Sequence, residues 1–369
     1  MYSELTYELS LCQVPYIGPV HAKKLCDIFG SASAIFKANV QDLEKVENIG
    51  DIKARSIKSF KDFSKAEKEI NFIAKYGIKP LFLTSKEYPQ RLLNCFDPPT
   101  ILFYKGNADL NASRIIAIVG TRNNTVYGKT FTEKLVKALE RFNVIIVSGL
   151  AFGIDSIAHK CSLKYGIRTI GVMGHGLDII YPPDNINLAK QMIREGGLLT
   201  EFRSNTKPDK HNFPSRNRVV AGISDATVVV ESGQKGGSNI TANLAWGYNR
   251  DVFAVPGRST DIKSEGCNRL IRENKAMLLD DPEQLFEVMG WNDQKAKKTT
   301  LQREMFPHFT EEEKKIIELL RKNEFATIDD INFNSGLSSS SVASATLHLE
   351  MQGVLKVLPG KRYVLNDTV

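Results

Sequence analysis

Apolar, mostly β-branched runs recur along the middle of the chain at Ile115–Val119, Val144–Val147, Thr169–Met173, Ala226–Val230 and Val252–Val255. Stretches with helical spacing separate them. Near-continuous apolar strands alternating with helices are what a parallel sheet covered on both faces requires. The pattern therefore predicts a doubly wound, mostly parallel α/β sheet. Upstream, a helix over Ala66–Tyr76, a strand over Lys79–Leu83, a turn at Asp97-Pro98-Pro99 and a strand over Ile101–Tyr104 read as additions to an edge of that sheet.

The first seventy residues contain a gapless repeat. Val14, Ile17, Gly18, Val20, Ala22 and Leu25 align with Val46, Ile49, Gly50, Ile52, Ala54 and Ile57. Each copy ends one helix, turns on a glycine and starts another, which resembles a paired helix-hairpin-helix (SAM-like) module. In such a module the glycine turn offers backbone N–H groups to a phosphate; the other reading is a spacer that only packs on its neighbour. Residues 290–308 are polar and basic without periodicity, and read as a linker. Beyond it, helices are expected over Thr310–Asn323, Ile328–Phe333 and Ser340–Gln352. A hairpin through Leu355–Leu358, Pro359-Gly360 and Tyr363–Leu365 completes a winged-helix pattern. Thr310 and Glu313 have the spacing of a capping box. The expected domains are 1–70, 71–289 and 309–369.

Composition narrows the class. Of 369 residues, 42% are hydrophobic and 25% charged, which fits a folded protein of more than one domain and argues against wholesale disorder. No apolar run approaches the roughly 20 residues of a membrane span. The amino terminus lacks the basic and apolar regions of an export signal. Five cysteines, never in CxxC spacing, argue against a disulfide framework or a cysteine-rich zinc site and favour a reducing cytoplasm. The net charge of +7 points toward a polyanionic partner. Its excess is concentrated in 114–289, with 23 basic against 18 acidic residues, whereas 309–369 is net acidic.

The carboxyl ends of the predicted strands carry the candidate chemistry. They run into Gly120-Thr121-Arg122, into Ser148-Gly149 with Gly153 following, into Gly174-His175-Gly176, through Glu231 to Gly236-Gly237-Ser238 and Thr241, and into Pro256-Gly257. Glycine after every strand lets the backbone approach an anion closely. Neither a G-x-G-x-x-G fingerprint after the first strand nor a P-loop is present. Instead Arg122 stands in the first turn, where it can offer a bidentate fork to one phosphate of a chain. A second basic cluster spans His211 to Arg218. Arg216 and Arg218, two apart on a helix, point to different sides, so one is expected to face the crevice and the other to fix the domain. Phe213 and Asn217 either hold the turn or contact a base.

These residues resemble the DNA-processing protein A (DprA/Smf) family. The matching stretches are Ile118-Val-Gly120-Thr-Arg122, Ser148-Gly-Leu-Ala-Phe-Gly-Ile-Asp155-Ser-Ile-Ala-His159, Gly174-His-Gly-Leu-Asp178-Ile-Ile-Tyr181-Pro182, Phe213-Pro-Ser-Arg-Asn-Arg218-Val-Val-Ala-Gly222, Gly237-Ser-Asn-Ile-Thr241 and Val255-Pro-Gly257. The resemblance implies a protein that binds single-stranded DNA during natural transformation and loads RecA onto it, without enzymatic activity, cofactor or metal. It implies a DNA contact at Arg122, pairing into a homodimer through the segment from Asn268 to Met277, and a RecA-facing surface around Trp246 and Arg272. The family's lysine after the tyrosine-proline pair is replaced here by Pro183; Lys190, Arg194 and Lys210 are candidates to substitute.

The rival reading is enzymatic. Gly236 to Thr241 faintly resembles the loop of Rossmann-like nucleotide phosphoribohydrolases, whose catalytic glutamate would fall at Asn243. Without that carboxylate, hydrolysis loses its central electrostatic support, although Glu231 and Asp155 lie near strand ends. Asp155 and His159, four apart on a helix, are read as helix-stabilising rather than as an acid–base pair. The expected recognition helix of the winged segment, Ser338–Glu350, has no Lys or Arg, which favours protein contact over duplex readout.

Overall fold

The structure, a computed structural model, describes residues 2–291, 309–323, 325–358 and 362–366. It divides into two compact units, Met1–Trp291 and Asn292–Val369. The expected linker lies almost wholly outside the described residues, as does the turn at Pro359-Gly360.

The first unit opens with five short helices, α1 (Glu4–Leu11), α2 (Pro19–Phe29), α3 (Ala32–Lys37), α4 (Val40–Glu44) and α5 (Asp51–Ser59). The sequence repeat is a structural one. Gly18 and Gly50 are the residues that cap α2 and α5. Val14, Ile17, Ala22, Leu25 and their counterparts Val46, Ile49, Ala54, Ile57 are all buried. Even the strained position repeats, since Tyr16 and Asn48 both adopt φ of 67°. Neither helix start is prepared for a phosphate, however. The Gly18 N–H donates to His21 Nδ1 (3.4 Å), the next residue is Pro19, which has no N–H, and α5 begins with the carboxylate of Asp51.

Helix α6 (Ser64–Tyr76) then leads into strands β1 (Lys79–Phe82) and β2 (Ile101–Gly106), with α7 (Gln90–Leu93) between them. The α/β segment follows as β3 (Ile115–Val119), α8 (Val126–Leu139), β4 (Ile145–Ser148), α9 (Ile154–Lys164), β5 (Thr169–Met173), α10 (Ile186–Glu195), β6 (Gly196–Thr200), α11 (Asn212–Ile223), β7 (Ala226–Val229), α12 (Gly237–Gly247), β8 (Asp251–Ala254), α13 (Glu265–Arg272), β9 (Met277–Leu278) and α14 (Pro282–Val288). Among the described residues these strands form one sheet in the order β1-β2-β6-β5-β4-β3-β7-β8-β9. It is parallel from β6 to β9, while β2 joins β6 and β1 joins β2 antiparallel. The two early strands thus extend an edge, as their sequence predicts.

Both faces are buried, which is why the strand sequences do not alternate. Ile115, Ala117 and Val119 enter one core with α11, α12 and the amino-terminal helices, whereas Ile116 and Ile118 enter another with α8, α9 and α14. At about 1.5–3 kcal/mol per fully buried large aliphatic side chain, these layers dominate the stability of the unit. The helical module shares the first core, so no break in packing falls near residue 70.

Strands β6 and β9 carry no such signal. Gly196 and Gly197 open β6 because Tyr104 and the Thr169 backbone occupy the space a side chain would fill; a Cβ on Gly197 would stand 2.4 Å from the Tyr104 ring. Strand β9 has only two residues, and both are exposed.

The second unit packs α15 (Glu311–Lys322), α16 (Ile328–Ser335) and α17 (Ser339–Met351) against strands β10 (Ala326–Thr327), β11 (Leu355–Leu358) and β12 (Arg362–Leu365), paired in the order β10-β12-β11. The expected capping box is present: Glu313 N–H donates to Thr310 Oγ1 (3.2 Å) and Thr310 N–H to Glu313 Oε2 (2.8 Å). Among the described residues, no helix is long and apolar enough to cross a membrane.

Candidate nucleic-acid interface

The chain order reverses at β3, which has β4 on one side and β7 on the other. A doubly wound sheet opens a crevice outside its carboxyl edge at that place. Here the crevice encloses about 450 Å³. Its walls are the turn after β3 (Gly120, Thr121, Arg122), the turn after β4 (Gly149, Ala151), the start of α11 (Phe213, Pro214, Arg216, Asn217) and the loop into α12 (Ser232 to Thr241). The chain thereby brings together ten of the residues marked in its sequence: Gly120, Thr121, Arg122, Gly149, Phe213, Arg216, Asn217, Gly237, Ser238 and Thr241. Helix α12 begins at Gly237 in the crevice wall. The Asn239 N–H donates to the Gly236 carbonyl (3.1 Å), whereas the amides of Gly237 and Ser238 precede any helical acceptor, and the helix dipole favours an anion there.

Two guanidinium groups flank one ring. Arg122 lies 5.3 Å and Arg216 5.8 Å from the centroid of Phe213. Their surroundings are opposite. Arg122 is exposed and, among the described residues, has no ion-pair or hydrogen-bond partner for its side chain. Arg216 is buried; its Nη1 donates to the carbonyls of Gly149 and Val172 (2.7 Å for the latter), and Nε donates to Asn217 Oδ1 (3.0 Å). Arg216 therefore braces the crevice from below. The wall continues past Phe213 to Phe152 and Tyr181, each 44% exposed. The sequence reading overlooked both aromatics, although they sit inside its own motifs.

Behind the β4 turn, Asp155 Oδ2 accepts the Gly149 N–H (3.0 Å) and the Ala151 N–H (3.4 Å). Burial pushes this carboxyl above its ordinary range, against the pull of Arg216. Gly153 turns the chain with φ of 75°, and a Cβ there would lie 2.2 Å from the Thr121 carbonyl oxygen, so only glycine fits.

Six marked residues do not reach the crevice wall. Arg218 points away and is locked between Glu201 and the Asp97 carbonyl, so it fixes α11 to the β2 side. Ser148 is buried and donates to the Ile118 carbonyl (2.6 Å). His175 is buried, its Nδ1 3.0 Å from the Gly176 carbonyl, and burial lowers its pKa. Gly174 lies beneath the Phe213 ring, Gly176 backs onto the Arg203–Ser204 loop, and Gly153 backs onto the β3 turn. The common cause is that a strand end has two sides, and sequence position does not say which one meets solvent. Of the candidates to replace the missing lysine at Pro183, Lys210 lines the crevice, while Lys190 and Arg194 are exposed on α10.

Outside the crevice, Asn268 exchanges hydrogen bonds with the Gly257 backbone (3.0 and 3.2 Å). Met277 is 37% and Trp246 55% exposed, and Arg272 ends α13 at the surface.

Asp155 and His159 do not bond one another. Thr169 Oγ1 donates to the Ile146 carbonyl (2.9 Å), so His159 Nδ1 must be the donor in its 2.6 Å contact with that hydroxyl. Its Nε2 is then an unprotonated, buried acceptor without a partner. Burial, with Arg216 nearby, lowers this imidazole to about 3. The unfolded chain therefore binds the extra proton throughout the interval from about 3 to 6.5, and stability falls as pH falls through it. In that interval the His159→Gln variant is expected to lose up to about 1.4 kcal/mol per pH unit less than the parent protein. Denaturant melts at pH 4.5, 5.5 and 7 measure the slope; equal slopes would remove His159 as its cause.

The comparisons with known proteins agree with this geometry. Residues 79–290 match the model of the family described as DNA recombination-mediator protein A, and residues 8–60 match that of the SAM-like helix-hairpin-helix tandem. The protein Smf of Synechocystis is 34% identical over 98% of this chain and 98% of its own. DNA processing protein A of Streptococcus pneumoniae superposes with a TM-score of 0.66 at 31% identity, covering 76% of this chain and 97% of that one. That of Helicobacter pylori, described for its single-stranded DNA binding mode, gives 0.53 at 30% identity over 57% and 95%. From the carboxyl-edge crevice to the helical module, the chain belongs to the DNA-processing protein A (DprA/Smf) family.

Proposed function

We propose that the crevice binds single-stranded DNA, held chiefly by its phosphates, and that the protein is not an enzyme. The observation that carries this reading is Arg122: an exposed guanidinium, unpaired among the described residues, at the mouth of a glycine-walled crevice beside an aromatic ring and a helix start. Phosphate contacts make binding indifferent to sequence, and rings such as Phe213, Phe152 and Tyr181 stack on any base. The single-stranded DNA binding described for the H. pylori relative supports it.

Hydrolysis is disfavoured by what the rim carboxylates already do. Glu231 is buried and accepts from Thr125 N–H (2.9 Å) and Thr125 Oγ1, which ties it to the start of α8. Asp155 holds two loop amides. Asn243, at the place of the glutamate of the phosphoribohydrolases, donates to the Asn239 carbonyl (2.7 Å). Neither of these two rim carboxylates is left free to support a ribosyl cation.

The same reading includes loading RecA onto the bound strand in natural transformation, in the cytoplasm, by a homodimer. The exposed edge strand β9 supports the pairing, and Trp246 on α12 supports a protein-facing surface. The second unit would act as a winged helix that contacts protein, since α17 has no Lys or Arg.

A fluorescence titration of single-stranded against duplex oligonucleotides over a salt series tests the reading. Preference for the single strand is expected, with affinity falling along a log–log slope of about −0.7 per phosphate contact. Equal or tighter duplex binding, or release of free base from nucleotides, would overturn it.

A further inference from the structure

We propose a second phosphate-binding site in the cleft between α6 and the 203–206 loop, onto which a single strand leaving the crevice past Lys210 is carried. The proposal rests on the reading of the crevice as a single-strand site and extends it toward the amino-terminal helices. The cleft, of about 210 Å³, is lined by Lys65, Lys68 and Glu69 of α6 and by Arg203, Ser204, Asn205 and Thr206.

Its construction leaves the cations free for a ligand. Glu69, the carboxylate in the cleft wall, is 5% exposed and is engaged by the facing loop, with neither lysine within ion-pair distance of it among the described residues. It accepts from Ser204 N–H (3.1 and 3.2 Å) and Ser204 Oγ (2.6 Å). Asp62, which also faces both lysines, is held by Ser64 N–H (3.1 Å) and Ser64 Oγ (2.6 Å). Among the described residues, the side chains of Lys65, Lys68 and Arg203 have no ion-pair partner within 4 Å. Lys65 and Lys68, three apart on one helix, repel each other. Like charges gathered in a concave, unpaired cluster are what a polyanion neutralises.

The opposite wall is rigid. Gly176 N–H donates to the Thr206 carbonyl (3.0 Å), Thr206 N–H to the Arg203 carbonyl (3.2 Å) and Asn205 N–H to Asp178 Oδ1 (3.1 Å). With those amides occupied, side chains must supply the anion contacts. The route from the crevice is short. Thr206 lines the cleft and Lys210 lines the crevice; four residues span at most about 14 Å, and the exposed Lys207 lies between them. A strand of a few nucleotides fills the crevice alone, whereas a longer one reaches α6.

The test uses the full chain and two single-stranded oligonucleotides, of about 6 and about 20 nucleotides, read by fluorescence anisotropy over a salt series. The double variant Lys65→Ala/Lys68→Ala alters exposed side chains only. It is expected to bind the 6-mer like the parent protein and the 20-mer about tenfold more weakly, with a salt slope shallower by about 1.4 for two lost contacts. An unchanged 20-mer affinity and slope would overturn the site, as would equal weakening of both lengths. If the parent protein holds neither oligomer, or if Arg122→Ala leaves 6-mer binding intact, the crevice reading itself fails and this extension falls with it.

Discussion

Replacing Arg122 by alanine is expected to weaken single-strand binding by at least tenfold, and by as much as a hundredfold, while the melting temperature stays within about a degree of the parent. The two halves of that expectation have separate causes. A guanidinium gripping a phosphate makes charge-assisted hydrogen bonds worth about 1.5–3 kcal/mol, the free-energy equivalent of those factors. In the folded protein the same side chain is exposed and touches little besides the Phe213 ring. An exposed cation–π contact contributes only about 0.5–1 kcal/mol, and solvent recovers part of it. Arg122→Lys should retain charge but lose the fork, and fall between the two. Anisotropy at physiological salt together with a thermal melt measures both quantities. Undiminished affinity would remove Arg122 from the interface; a large fall in melting temperature would make it structural.

Arg216→Ala should behave in the reverse sense. This guanidinium is buried, donates to the Gly149 and Val172 carbonyls, and offsets the buried Asp155. Its removal leaves two carbonyls and a carboxylate without their donor or countercharge. Leaving a buried polar group without its partner typically costs about 1–3 kcal/mol, and more than one group is affected here. For a unit of this size that lowers the melting temperature by roughly 10 °C. Arg216→Lys keeps one nitrogen for the carbonyls but loses the planar fork and the Nε donation to Asn217 Oδ1, and should recover only part. Differential scanning fluorimetry decides the matter, and a shift below about 2 °C would show that the brace is dispensable. Two arginines on the same aromatic ring are thus expected to separate binding from stability.

The division between what could be read along the chain and what could not follows from this pair. The parallel core was legible because burial on both faces demands unbroken apolar strands such as Ile115–Val119. The helical repeat was legible because Val14 and Val46, Gly18 and Gly50 must occupy equivalent positions in equivalent turns. Strand β6 was hidden because its first residues are glycines, selected by the approach of Tyr104 and not by any strand preference of their own. The start of α2 had the right glycine for a phosphate, but His21 and Pro19 remove its donors.

For the crevice, local patterning marked a glycine turn after each of the five predicted strands, and the turns after β3, β4 and β7 are the ones that meet at the reversal. It could not settle which side chains in those turns face solvent. Arg216 and Arg218 have the same chemistry two residues apart, yet one meets the Gly149 carbonyl and the other meets Glu201, partners distant in sequence. Side-chain direction, burial and the identity of a charged partner are properties of packing between segments, so only the folded chain separates the exposed guanidinium of Arg122, unpaired among the described residues, from the two that hold the scaffold.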